Sequence, residues 1–191
     1  NHHMGVSAFA EYTTVSRQSV VKVDRSLGFA EAAVFGCAVI TGTGAVINTA
    51  QLPLERSVAV IGLGGVGLAA LLGARMQQAR TLVAVDLSND KLALARSLGA
   101  THTFNAADAD CAEAIREATS GGVEYAFEMA GSVKAMEMAY RITRRGGTTV
   151  TAGLPHPQAQ FSIAQTLLVA EERTIKGSYL GSCIPSRDIP R

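Results

Sequence analysis

From residue 57 onward the chain alternates short, apolar, β-rich runs with segments of helical period. The runs fall at Ser57–Ile61, Thr81–Val85, His102–Phe104, Val123–Glu128, Thr148–Ala152 and Thr174–Ser178. Between them the spacing predicts helices over Val66–Met76, Asn89–Leu98, Ala112–Ala118, Val133–Arg144 and Ile163–Ala170. Ser88 is placed to cap the second of these, with Gly99 to end it. Asp110 and Glu113 have the spacing of a capping box for the third. Strands apolar on both faces, alternating with helices, imply a parallel sheet covered on both sides. The expected class is therefore α/β, a doubly wound Rossmann sheet of six parallel strands. The first fifty residues break this rhythm. Phe9–Val15 and Ser19–Val23 read as strands of another kind of sheet, and Leu27–Phe35 and Gly44–Ala50 as helical. A boundary is expected near Cys37–Ile40, dividing the chain into 1–38, 39–179 and 180–191.

Composition narrows the function more than the fold. Lys+Arg number 17 against Asp+Glu 16, so no basic excess exists to neutralise a nucleic-acid backbone, and none suits a membrane surface. Val58–Met76 is read as the most apolar stretch, and its glycines and Arg75 make it a poor membrane span. No signal-peptide pattern opens the sequence. Cys37, Cys111 and Cys183 are few and far apart, which favours a reducing, cytoplasmic setting over a disulfide framework.

The strongest motif is Gly62-Leu63-Gly64-Gly65-Val66-Gly67. Its context gives it specificity: it follows a strand, opens an apolar helix, and is followed by Asp86, 19 residues beyond Gly67, at the end of the next strand. Gly62 allows the tight turn, Gly64 lets a pyrophosphate approach the backbone, and Gly67 lets the helix pack closely on the strand. The helix N-terminus offers free N–H groups and a partial positive charge to phosphate. Asp86 can accept from both ribose hydroxyls and repels a 2′-phosphate. No arginine follows it closely, so NAD is expected over NADP. Lys91, read from its position alone, is a solvated helix lysine or a second ribose contact.

Cys37 lies in the apolar segment Gly36–Gly44, and a single cysteine there reads as a buried small residue. Taken with Phe9–Tyr12, Gly62–Gly67, Val85-Asp86, Leu98–Thr101, Gly121–Glu128, Gly153–Pro155 and Lys176-Gly177, the segment resembles the zinc-dependent medium-chain alcohol dehydrogenases, in particular their NAD-dependent branch. The resemblance implies that Cys37 is a ligand of the catalytic zinc and that Thr41 lies near the nicotinamide. It implies that Lys91 binds the adenosine ribose, and that Ala130, Ala152, Leu154, Ser178 and Leu180 line the nicotinamide side. Gly65 and Val66 belong to the same phosphate loop.

The resemblance further implies that residues 1–38 belong to a GroES-like catalytic domain, represented here in part. Family members are about twice as long, and the segments carrying the other zinc ligands, a structural-zinc lobe and most of the substrate pocket have no counterpart in this sequence. The implied reaction is oxidation of an alcohol by hydride transfer to NAD. The chain by itself is expected to bind cofactor without turnover, and a homo-oligomer paired through the edge strand is implied. Two alternatives stand beside this reading. One is a zinc-independent, NADP-dependent reductase of the same superfamily; the other is a non-catalytic dinucleotide-binding module.

Overall fold

The computed structural model describes residues 10–190. An irregular arm with one 3-10 turn at Arg17–Ser19 leads into helix α1, Phe29–Thr49. The alternating unit follows as β1 Ser57–Ile61, α2 Gly65–Met76, β2 Thr81–Asp86, α3 Asn89–Ser97, β3 His102–Asn105, α4 Cys111–Ala118, β4 Val123–Glu128, α5 Val133–Ile142, β5 Thr143–Thr151, α6 Gln165–Ala170 and β6 Thr174–Gly177. A 3-10 turn at Leu180–Ser182 and the short α7, Pro185–Asp188, close it.

The sheet has six strands in the order β3-β2-β1-β4-β5-β6, and every pairing is parallel. This is the expected doubly wound Rossmann sheet. Its order reverses between β1 and β4, where a crevice must open at the strand C-termini. All five residues of β1 are buried, because successive side chains enter cores on opposite faces. Val58 and Val60 join Leu82, Phe127 and Val150 on one face, with Leu71 and Ala74 of α2. Ala59 and Ile61 join Val83, Val85 and Ala126 on the other, with Ile115 of α4 and Ala139 of α5.

The N-terminal expectations need correction. Among the described residues neither 10–15 nor 19–23 forms a strand, and Phe9 lies outside them. Among the described residues no strand pairs with either segment to satisfy its backbone groups. The two helical readings are one helix, α1, which runs unbroken across the expected boundary at 38 and 39, with π-helical turns at Phe35–Val39 and Ala45–Thr49. The β-branched and glycine run Ile40–Gly44 has poor helix propensity. Packing overrides it: a Cβ on Gly42 would meet the Val66 carbonyl oxygen at 2.1 Å, so glycine here lets α1 lie directly on α2. α1, not 58–76, is also the segment long and apolar enough to span a membrane, with mean hydropathy 1.7. Ile40, Ala45 and Val46 in its second half are buried against the Rossmann unit.

Smaller differences have local causes. The helix expected to reach Arg144 ends at Ile142, and β5 begins at once at Thr143. The Thr143 hydroxyl donates to the Ala139 carbonyl at 2.7 Å and pairs with Thr149 at 2.8 Å, tying the helix end to the strand. Ser88 does not cap α3 through its side chain, nor Asp110 α4. Glu113 is paired with Arg141 of α5 and does not reach back to close a capping box. Ser132 does cap, accepting the Ala135 N–H at 3.2 Å at the start of α5.

Candidate cofactor site

At the topological reversal lies a cavity of about 470 Å³, walled by the loop Gly62–Gly64, Asp86 and Lys91, with Met129, Ala130 and Met138 opposite. The loop geometry follows from its glycines. Gly62 sits at φ +90°, where a side chain is strained, and a Cβ there would press on Ala130 at 2.8 Å. A Cβ on Gly67 would lie 1.7 Å from the Gly62 carbonyl oxygen, so α2 can start this close to β1 only with glycine. At Gly64 the outcome is different: a Cβ would meet nothing within 4 Å. The protein does not need glycine at 64 for its own packing, so a ligand in the cavity would find bare backbone there.

Asp86 closes β2 beside the glycine loop. Its Oδ2 accepts the Leu63 N–H at 2.7 Å and its Oδ1 accepts the Ser88 N–H at 3.0 Å, while Lys91 Nζ stands 3.7 Å from Oδ2. Burial pushes this carboxyl up, but the Leu63 and Ser88 N–H groups and the Lys91 charge outweigh it and hold Asp86 below the ordinary carboxylate value. Asp86 thus joins the glycine loop to α3 as an anion. Lys91 stands beside Asp86 and lines the cavity, with its side chain 48% exposed.

The residues expected on the nicotinamide side follow the ends of β4, β5 and β6. Ala130 is exposed to the cavity, and Gly131 beside it is held against Leu154, with backbone atoms of Leu154 3.2 Å from where a Gly131 Cβ would stand. Ala152 donates its N–H to the Glu128 carbonyl at 3.0 Å, which keeps the ends of β4 and β5 level. Ser178 donates its N–H to the Thr151 carbonyl at 2.8 Å, next to Ala152, and its hydroxyl lies 2.8 Å from that of Thr49 on α1. Gly181, next to Leu180, touches Gly44. Thr41 is buried with an unpartnered Oγ1. Gly65 approaches α1 at Ala38, and Val66 is half-buried behind the loop.

Cys37 is exposed on α1 rather than a buried core residue. Among the described residues no three His, Cys, Asp or Glu side chains cluster in a way that could hold a metal. A catalytic zinc needs about three protein ligands, so the described donor set does not fit one. Sequence reasoning missed Glu128, fully buried at the end of β4, because no glycine-loop spacing marks this acid as it marks Asp86.

The fold and crevice define a cofactor-binding domain of the Rossmann type. The chain belongs to the zinc-binding dehydrogenases: the model of that family matches residues 65–191. It is the cofactor-binding part of a medium-chain, alcohol-dehydrogenase-type protein. Alcohol dehydrogenase 1 of Oryza sativa subsp. indica is 36% identical over 99% of this chain, and alcohol dehydrogenase 1 of Zea mays 37% over 99%. The chain spans 50% of the length of each of these two relatives. Benzyl alcohol dehydrogenase from Acinetobacter calcoaceticus superposes with a TM-score of 0.92 at 34% identity, covering 97% of this chain and 51% of that one. An alcohol dehydrogenase zinc-binding domain protein from Burkholderia ambifaria matches with the same TM-score and identity, over 97% of this chain and 50% of its own. A dehydrogenase structure from Sinorhizobium meliloti 1021, described as bound to NADP, shares the fold at 24% identity and a TM-score of 0.84, over 92% of this chain and 52% of that one.

Proposed function

We propose that this chain is the NAD(H)-binding portion of an NAD-dependent alcohol dehydrogenase, and that its own residues bind cofactor without turning over alcohol. The observation that carries the reading is one cavity lined both by the bare backbone of Gly64 and by the carboxylate of Asp86, which accepts the Leu63 N–H beside that glycine. Gly62, Gly64, Gly65, Val66 and Gly67 would cradle the pyrophosphate at the α2 N-terminus, and Asp86 and Lys91 would take the adenosine ribose. Ala130, Ala152, Leu154, Ser178 and Leu180 would border the nicotinamide, with Thr41 beneath it. When bound, NAD supplies the hydride acceptor. No step is assigned to zinc, since Cys37 alone cannot hold it; a zinc-dependent reaction requires ligands beyond those described here.

Asp86 stands against the zinc-independent, NADP-dependent alternative, because a 2′-phosphate would meet its negative charge. Replacing Asp86 by Ala is expected to move the ratio of NADPH to NADH affinity about tenfold or more toward NADPH. An unchanged ratio would remove Asp86 from the ribose site. Incubated with NAD and ethanol or benzyl alcohol, the 191-residue chain is expected to form no NADH. Turnover would overturn the second half of the proposal.

The unpaired thiols of Cys37, Cys111 and Cys183 support a reducing, cytoplasmic setting. Edge strand β6 leaves one side of Thr174–Gly177 without a partner strand among the described residues, which supports pairing between two copies. Light scattering after size exclusion is expected to give a dimer mass; a monomer at every concentration would contradict that.

A further inference from the structure

Glu128 is 1% exposed, yet no basic side chain lies within ion-pair distance of it among the described residues. A buried carboxylate without a cation is costly unless hydrogen-bond donors surround it. Here three do. Oε1 accepts the Ala130 N–H at 2.9 Å and the Gly131 N–H at 2.6 Å, and Oε2 accepts the Thr151 hydroxyl at 2.8 Å. The first two donors belong to the loop after β4, the third to the last residue of β5. The loops are pressed together around this group: a Cβ on Gly153 would stand 2.2 Å from the Gly131 nitrogen and 2.7 Å from Glu128 Oε2.

We propose that Glu128 is a positioning residue that locks the Ala130–Gly131 loop to the Thr151–Leu154 segment, so that the two walls bordering the nicotinamide are held as one rigid surface. This rests on the NAD(H) reading above. An apolar residue would fill the same interior space, but it would leave two loop N–H groups and one hydroxyl without their acceptor. The loops would then be free to part at the C-terminal end of the sheet, where a ligand of this fold sits. The proposed adenosine end is built differently, on Leu63, Asp86 and Lys91, none of which is hydrogen-bonded or ion-paired to Glu128. Ala130 also packs against Gly62 of the phosphate loop, but no adenosine-side group is bonded to Glu128, so loss of the lock is expected to act on the nicotinamide half more than on the adenosine half.

The test compares NADH with ADP-ribose, which lacks the nicotinamide ring, as ligands of the 191-residue chain. Thr151→Val removes one donor and keeps the shape. Glu128→Gln keeps an acceptor for the loop N–H groups, and its amide can donate to Thr151 Oγ1. Glu128→Ala removes the lock. Circular dichroism reports folding. Expected are affinity for NADH lowered about tenfold in Glu128→Ala and about threefold in Thr151→Val, near-normal binding in Glu128→Gln, and ADP-ribose binding within about twofold of wild type throughout. If Glu128→Ala does not fold, Thr151→Val and Glu128→Gln decide. The inference is overturned if the folded variants lose NADH and ADP-ribose equally, lose neither, or are not rescued by Gln. Failure of the wild-type chain to bind either ligand would overturn the NAD(H) reading itself, and this inference with it.

Discussion

The glycines of the phosphate loop do different work, and substitution separates them. Gly67→Ala puts a methyl group 1.7 Å from the Gly62 carbonyl oxygen. It is expected to lower stability by about 1–3 kcal/mol in denaturant unfolding, with binding lost alongside. Gly64→Ala points into open space, so unfolding should be unchanged while NADH affinity falls. Equal unfolding midpoints for wild type and Gly67→Ala would contradict the packing account. The thiols also divide by position. Cys111 is buried, and burial with Asp108, Asp110 and Glu113 nearby pushes it up to about 11, so it stays protonated and inert at neutral pH. Iodoacetamide at pH 7.5 is expected to label Cys37 first, and mass spectrometry of the digest reads this out. At this scale much was legible in the sequence: each of Gly62, Gly67 and Asp86 carries a spacing signature. Glu128 was not, because its role depends on Thr151, 23 residues away. The zinc role of Cys37 came only from resemblance, and the described residues supply no partners for it.

Elements were predicted best where the hydrophobic period is set by burial on both sides of the sheet. The six strands all overlap their expected positions, five of them to within one residue at each end. α1 was read as two helices because Ile40–Gly44 looks like a break; only contact with α2 explains why it continues. The reading of β5 from Thr148 missed its earlier start at Thr143, because the register shift opposite Val123 to Tyr125 has no sequence mark. That irregularity is secured by Glu124, which accepts the Ser57 N–H at 2.8 Å and Arg56 at 2.9 Å and is paired with Arg144 at 2.8 Å. Burial raises the pKa of Glu124, but these donors prevail and hold it below its ordinary value. A lowered carboxyl stabilises the fold fully above the unfolded-state pKa, and that contribution is lost as pH falls through the folded value. Acidification below about pH 4.5 is therefore expected to destabilise the wild-type chain more steeply than Glu124→Gln. Parallel acid titrations followed by circular dichroism would contradict this account if their slopes were identical.

Over the whole molecule, the sheet order determines where a ligand can sit, and the residues at the reversal determine which one. The doubly wound class and the family were legible because they depend on many spaced segments at once. The N-terminal arm was not, since its apolar and polar positions suggested strands while the described residues 10–23 form only bends and one 3-10 turn. The central claim is that the one cavity lined by Gly64 and Asp86 is a site for NAD(H). It is tested most directly by titrating the purified 191-residue chain with NADH and, separately, NADPH while following nicotinamide fluorescence. The account predicts saturable binding of NADH, with NADPH about tenfold weaker or more. No binding of either cofactor, or tighter binding of NADPH, would contradict it.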